Sequence, residues 1–317
     1  MFQYTDADYQ PGTLIHHHPE HLYRKSPGLS ATEVKVFANQ SPAHYCHRFL
    51  GEPVARAESA AMVLGSMVHC LVLEPQHFDS RYRAQPQPDT GTLVTVPQLR
   101  QWLKDHNLNQ AGNKQELIER IVQHDPDAPV WAVMEEQRKQ ARYRTVKPEV
   151  MAQARAMADS VFNNSQAHQL MSRGDAEVSV WGQHESTELL IKCRPDWLRD
   201  GLCVDVKTCA CASPHAFRRD LVKFGYDLQQ AHYLNTLCSA GKPVDTFVFI
   251  AVESEPPYLS QVYLLDGAAD GHATRRWHRI MTRFKECLET NHWPGYTDDV
   301  ELALPNWYYQ QYAAEMV

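Results

Sequence analysis

The spacing of apolar residues changes character along the chain. Ser30 followed three residues later by Glu33 forms a capping-box pair, in which each side chain satisfies the other residue's backbone N–H, and it predicts a helix through Phe37. Met62, Val63, Met67, Leu71 and Val72 mark a buried helix over 59–73, which Pro75 ends. A Pro/Gly-rich break at 84–92 (AQPQPDTGT) precedes two short helical patterns. The first, led by Val96-Pro97, carries Leu99, Trp102 and Leu103, and the second carries Leu117, Ile118, Ile121 and Val122, with the turn NLNQAGNK between them. A second break, DPDAP at 125–129, closes this unit, so it is expected to be an inserted module.

Residues 130–172 are expected to be helical. After Gly174 the apolar period shifts from helical to alternating, predicting strands at 176–182, 188–194 and 202–207. Helices follow at 214–223 and 227–240, strands at 246–252 and 259–265, and a last helix near 269–290. This order implies an α/β (α+β) fold, a mixed central sheet flanked by helices, with a small helical module inserted. The corresponding division is 1–91 as an N-terminal helical part, 92–126 as the insertion and 127–317 as the sheet-bearing core.

Composition narrows the class. The chain has 317 residues, 43% apolar and 22% charged, which is enough to bury a real core and excludes disorder, collagen-like repeats and coiled coil as the main architecture. No run of about 18 apolar residues is present, and the first residues lack the basic-then-apolar order of a secretory signal, so a cytoplasmic protein with no membrane partner is expected. The polar stretch 1–28, with His16, His17, His18 and His21, is expected to be an exposed arm. The net charge of −7 (31 Lys+Arg against 38 Asp+Glu) argues against a protein that simply coats nucleic acid, but leaves room for local basic patches. None of the eight cysteines forms a C-x-x-C pair, so reduced thiols acting as small hydrophobes are expected rather than zinc or iron–sulfur ligands.

Candidate chemistry lies in 188–207, taken as two neighbouring strands. Leu202, Val204 and Val206 share one face of the second strand, and Cys203, Asp205 and Lys207 the other. On the first, Lys192, Arg194 and Asp196 share a face. Each strand therefore presents a carboxylate near a cation, which is costly to bury without a partner or a task. Two carboxylates from adjacent strands can share Mg²⁺, a hard cation that takes oxygen ligands. A nearby lysine can orient or deprotonate a water, or stabilise developing charge. The alternative reading is a pair of structural salt bridges at a sheet edge.

Pro195-Asp196 followed by Asp205-Val206-Lys207 resembles the signature of the PD-(D/E)XK nuclease superfamily. Further segments resemble its exonuclease VIII (RecE-type) branch: Leu29-Ser-Ala-Thr, Ser41-Pro-Ala-His-Tyr45, Gly65-Ser-Met-Val-His69, Ala176-Glu-Val-Ser179, Lys192-Cys-Arg-Pro-Asp-Trp197, Gln229-Gln-Ala-His-Tyr233 and Phe249-Ile-Ala-Val-Glu-Ser-Glu-Pro-Pro-Tyr258. The resemblance spans most of the chain outside 92–126. It implies a restriction-endonuclease-like core, with His69, Asp196, Asp205 and the Val206 carbonyl as ligands of Mg²⁺ (or Mn²⁺) and Lys207 as the catalytic lysine. It further implies that Glu177 positions the attacking water and that Gln229 and Tyr233, one helical turn apart, support the site and the DNA backbone. A core histidine, a strand-surface glutamate and plain helix packing are the alternatives for His69, Glu177 and the Gln229–Tyr233 pair. Arg194, sharing a face with Asp196, either grips a phosphate or neutralises that carboxylate.

The 92–126 unit resembles a SAP or helix-extension-helix DNA-binding module, with Lys114 and Lys104, then Arg100 and Arg120, as candidate phosphate contacts, or else a structural role. The resemblances imply a metal-dependent exonuclease acting on duplex DNA ends with 5′→3′ polarity. They also imply a homo-oligomeric ring and a strand-annealing recombinase partner in phage-type recombination, encoded by a bacterium or phage. An endonuclease or anti-phage defence nuclease of the same fold is the alternative within that chemistry, and a non-catalytic DNA-binding scaffold the alternative outside it.

Overall fold

The computed structural model describes residues 5–52, 58–139 and 143–296. The first part of the chain forms β1 (Leu14–Ile15), α1 (Glu20–Lys25), β2 (Leu29–Ser30), α2 (Ala31–Asn39), α3 (Pro42–Tyr45), α4 (Ala60–Leu73), α5 (Phe78–Arg81) and β3 (Tyr82–Ala84). Segment 92–126 supplies α6 (Val96–Asp105) and α7 (Lys114–His124), and α8 (Trp131–Lys139), β4 (Arg144–Val146), α9 (Pro148–Asn163) and α10 (Ser165–Leu170) follow. Then come β5 (Asp175–Ala176), β6 (Ser179–Gln183), β7 (Leu190–Cys193), β8 (Trp197–Arg199), β9 (Gly201–Cys209), α11 (Pro214–Phe224), α12 (Tyr226–Ser239), β10 (Val244–Glu253), β11 (Ser260–Tyr263) and α13 (Gly267–Thr290).

Local chemistry sets several boundaries. Ser30 caps α2 reciprocally with Glu33: the Ser30 N–H donates to Glu33 Oε2 at 2.9 Å, and the Glu33 N–H to Ser30 Oγ at 3.4 Å. Gly225 adopts φ 63° between α11 and α12, and a Cβ there would lie 2.8 Å from the Asn39 side chain, so only glycine suits this junction.

The central sheet has five strands in the order β11-β10-β9-β8-β5, with β9 and β10 parallel and the other pairs antiparallel. Alternation along β9 decides how it is covered. Leu202, Val204 and Val206 join Val248, Ile250 and Val252 under α4 and α9. On the opposite face Cys203, Phe247, Phe249 and Ala251 pack against Phe217 on α11 and Tyr233 and Leu237 on α12. This is the expected mixed sheet with helices on both faces. A second sheet, in the order β1-β6-β7-β2, lies against α12.

Four expectations need correction. The segment 188–207 is three strands rather than two neighbouring ones: β7 belongs to the second sheet, β8 pairs with β9, and Asp196 sits in the break between β7 and β8. The 176–182 strand is likewise split into β5 and β6 around Glu177, whose φ of 55° interrupts extended backbone. The 130–172 stretch is divided by β4, where Arg144–Val146 pair with β3. The N-terminal stretch is not an exposed arm in its described part, since β1 pairs with β6 and His18, only 1% exposed, packs with Tyr9 and Tyr23 around Trp181.

Segment 92–126 has its own apolar cluster of Leu99, Leu103, Leu117, Ile118 and Ile121, which also takes in Ala128 and Val130 beyond residue 126. Residues 297–317 of the expected core lie outside the described residues. No helix among the described residues is long and apolar enough to cross a membrane.

One buried contact fixes how stability should respond to acid. Fully buried His232 accepts the Trp277 indole N–H on Nδ1 at 3.1 Å, so Nε2 carries the proton it shares with the Lys192 carbonyl at 3.0 Å. Burial pushes its pKa down to about 4. Folding then binds fewer protons than the unfolded chain below the ordinary histidine pKa, and stability from this residue is lost as pH falls from about 6.5 to about 4. The loss amounts to about 3 kcal/mol. Urea melts of wild type and His232→Gln should differ in pH dependence by that amount across this window and run parallel above it.

Candidate metal centre

The site forms where β8 stops short. Its pairing with β9 begins at Trp197 opposite Val204, so the backbone of Val206 extends beyond its reach. Two side chains take up Val206 instead. Asp196 Oδ2 accepts the Val206 N–H at 2.6 Å, and His69 Nε2 meets the Val206 carbonyl at 2.8 Å. A carbonyl can only accept, so Nε2 carries the imidazole proton. Nδ1 is left as a bare lone pair, 3.6 Å from Asp196 Oδ2. Burial and the nearby Lys207 charge lower the His69 pKa and keep the ring neutral. A backbone carbonyl holding one ring nitrogen while the other faces carboxylates is how metal-binding histidines are commonly oriented. The Val206 carbonyl, expected as a ligand, accepts the imidazole N–H.

Gly65 explains how α4 delivers His69. A Cβ at Gly65, one turn earlier, would meet Thr208 Oγ1 of β9 at 3.3 Å, so the glycine lets helix and strand approach closely.

Glu177 completes the group. Its N–H donates to the Asp196 carbonyl at 3.1 Å, tying the β5–β6 corner to the β7–β8 break. Its φ of 55° is costly for a non-glycine residue, and such strain concentrates at functional sites. One ligand atom each from His69, Glu177 and Asp196 lie within 4.8 Å of one another. Burial and the Asp196 charge push the Glu177 carboxyl up to about 7 despite its Arg194 partner. Burial and the Asp205 charge push Asp196 well above the usual carboxylate range.

Asp205 lies beside this trio, not within it. Only 1% exposed, it ion-pairs through Oδ1 with Lys207 and accepts the Gln229 amide N–H through Oδ2. Burial works against the Lys207 charge, but Asp205 and Asp196 outweigh it and hold the ammonium above its ordinary value. Lys207 is therefore held as a positive charge beside Asp205. Gln229 Oε1 accepts from Lys207 and from Lys35, each at 3.2 Å.

Lys35 was not among the sequence candidates. It lies on the polar face of α2 with Thr32 and Asn39, where a lysine reads as ordinary solvated surface. The fold turns that face toward α12, and burial together with the Lys207 charge lowers the Lys35 pKa to about 8. The Tyr226 ring lies under both ammonium groups, 4.7 Å from Lys207 Nζ and 5.7 Å from Lys35 Nζ.

Other candidates are placed differently from the sequence reading. Tyr233 donates its hydroxyl to the Arg194 carbonyl at 3.2 Å and so props the strand end. Arg194 pairs with Glu177, not Asp196, and its Nη1 is held by the His18 carbonyl at 2.6 Å and Ser179 Oγ at 3.3 Å. Its fork is thus largely committed within the protein. In segment 92–126, Arg100 and Lys104 lie exposed on α6 and Lys114 exposed at the start of α7. Arg120 instead clamps the interhelical turn through the Asn109 and Ala111 carbonyls at 2.6 and 3.0 Å. Two clefts of about 780 Å³ each open on His69 and Glu177, both lined by Glu20, Arg24 and Arg194, and one of them also reaches Asp196.

The residues fit a divalent cation: one imidazole nitrogen and two carboxylates that crowd each other, with only Glu177 paired to a cation, Arg194. Cation binding must expel the Glu177 proton, so affinity should rise with pH through about 7. The melting temperature gained on adding MnCl₂ is expected to be small near pH 5.5 and several degrees larger near pH 8. Without cation, the raised Glu177 pKa has the opposite effect, removing about 3 kcal/mol of stability as pH rises from about 4.5 to about 7.

This fold agrees with the comparison to known families. The model of the PDDEXK-like domain of unknown function (DUF3799) matches residues 30–304, and the chain belongs to that family. Among solved structures, the crystal structure of a "Putative exonuclease" from Eubacterium rectale aligns over 99% of this chain and 99% of its own, with 14% identity and a TM-score of 0.55, so the two share a fold. Another aligns over 72% of this chain and 88% of its own, with 10% identity and a TM-score of 0.25. No curated protein matches the chain.

Proposed function

We propose that the protein is a Mg²⁺-dependent deoxyribonuclease that digests duplex DNA from its ends. The observation that carries this reading is the bare His69 Nδ1 beside the Glu177 and Asp196 carboxylates, with the Lys207 ammonium fixed on neighbouring Asp205. His69, Asp196 and Glu177 would hold the ion, and Asp205 adjoins them. Mg²⁺, when bound, supplies positive charge for a scissile phosphate and acidifies a coordinated water. The chain's own residues do the rest. The Val206 carbonyl holds the imidazole in its ligating tautomer, and Arg194 orients Glu177. Gln229 locks Asp205 and Lys207 together, which keeps the ammonium aimed at the site to stabilise negative charge on a phosphate.

An exonuclease reading draws support from the description of the Eubacterium rectale structure and from the resemblance of the segments around the site to the RecE-type branch. With it come 5′→3′ polarity, a homo-oligomeric ring, an annealing recombinase partner and a role in recombination. The α6–α7 module, through Arg100, Lys104 and Lys114, would add sequence-independent phosphate contacts.

The test is digestion of a 5′-labelled and a 3′-labelled linear duplex beside a covalently closed circle, with Mg²⁺. The proposal expects progressive loss of the 5′ label as mononucleotide, with the circle spared. Cleavage of the circle would make the enzyme an endonuclease. Absence of cleavage on every substrate with Mg²⁺ or Mn²⁺ would leave a DNA-binding scaffold.

A further inference from the structure

Helix α13 carries a concentration of positive charge that the site does not use. Between Asp270 and Glu286 it holds Arg275, Arg276, Arg279, Arg283 and Lys285 and no acidic residue, in a chain whose net charge is −7. Ala273, Trp277, Met281 and Phe284 are buried, which turns Arg279 and Arg283 to solvent. Neither of these two has a carboxylate partner among the described residues. With Arg276 they line a shallow groove of about 270 Å³ against Phe37 and Ala38 of α2 and Ile280.

The groove is linked to the metal centre by contacts along two helices. Lys35 and Asn39 are one turn apart on the same face of α2. Lys35 reaches Gln229 in the site, and Asn39 Oδ1 accepts from Arg276 Nη2 at 2.7 Å. Asp227 on α12, two residues before Gln229, takes the other Arg276 nitrogen at 3.5 Å. Lys207, Lys35, Arg276, Arg279 and Arg283 thus follow one another as a line of cations, the last three spaced by about one helical turn each.

We infer that this line is a track for the phosphodiester backbone of DNA leading to the metal centre, with Arg279 and Arg283 as its outer contacts. The inference rests on the nuclease reading above and adds to it the path of the substrate. Guanidinium groups suit phosphate oxygens, and a local basic stripe on an acidic chain is the footprint expected where a polyanion docks.

The test is duplex binding by the full chain in EDTA, read by fluorescence anisotropy across a salt series. R279E/R283E should bind at least about tenfold more weakly at low salt, and the slope of log K against log salt should fall by roughly 2, as expected for two phosphate contacts. R279K/R283K should retain most of the affinity, and Lys242→Glu, on a turn away from the track, should match wild type. Melting curves check that the variants fold. Wild-type affinity and slope in R279E/R283E would overturn the track while leaving the nuclease reading in place. Track-dependent capture of polyglutamate with DNA binding unchanged would overturn it in favour of an acidic polypeptide. A wild-type chain that binds no DNA would overturn the nuclease reading and the track together.

Discussion

Asp196→Asn is expected to lower Mg²⁺-dependent DNA hydrolysis by at least roughly a thousandfold while leaving the fold intact. The amide oxygen of Asn can still accept the Val206 N–H, now held at 2.6 Å by Asp196 Oδ2. What it cannot supply is the negative charge facing His69 Nδ1 and Glu177. Because burial and Asp205 already drive Asp196 toward its neutral form, the cation-free variant should melt no lower than wild type. Asp205 variants are less informative. That carboxylate neutralises Lys207 and accepts from Gln229, so removing it strands a buried ammonium, a defect that costs about 3–5 kcal/mol by itself. Single-turnover digestion and a thermal melt on one preparation of Asp196→Asn check both parts of the expectation.

The second large effect is structural and reaches the site through the N-terminal segment. Trp181 is fully buried, with Tyr9, His18 and Tyr23 packed around it at ring distances of 4.8 to 6.0 Å, and its indole N–H donates to the Pro27 carbonyl at 3.0 Å. Trp181→Ala should cost about 3–5 kcal/mol in urea unfolding. It should also loosen the stretch from Tyr9 to Pro27, which supplies the His18 carbonyl that holds Arg194 and the Glu20 and Arg24 walls of both clefts. Limited proteolysis should accordingly cut the variant near α1 at protease levels that leave wild type whole. An unchanged digestion pattern would detach the N-terminal segment from any role in shaping the site.

Much of the sheet was legible because alternation along β9 and β10 is strict, and their two faces meet different helices. His69, Asp196, Asp205 and Lys207 could be singled out for a similar reason: acidic and basic residues inside apolar strand and helix patterns are conspicuous. The break between β7 and β8 was not legible. Its cause is a change of sheet, and periodicity within 188–207 says nothing about which neighbour each strand finds. Glu177 and Asp205 show the consequence. The φ of 55° at Glu177 swings its carboxylate into the ligand trio, whereas the reach of Gln229 and Lys207 draws Asp205 to one side. Lys35 escaped notice because only tertiary packing of α2 against α12 distinguishes it from a surface lysine. The N-terminal segment was misread because its polar composition hides three aromatic or imidazole side chains, Tyr9, His18 and Tyr23, that converge on one tryptophan.

His69, Glu177 and Asp196 together are expected to bind a divalent cation. Anomalous diffraction from crystals grown with MnCl₂ near pH 8 tests it directly. A single strong peak within coordination distance of His69 Nδ1 and the two carboxylates, absent from Asp196→Asn crystals, is the predicted result. Manganese bound elsewhere, or a peak that persists at this position in the variant, would contradict it.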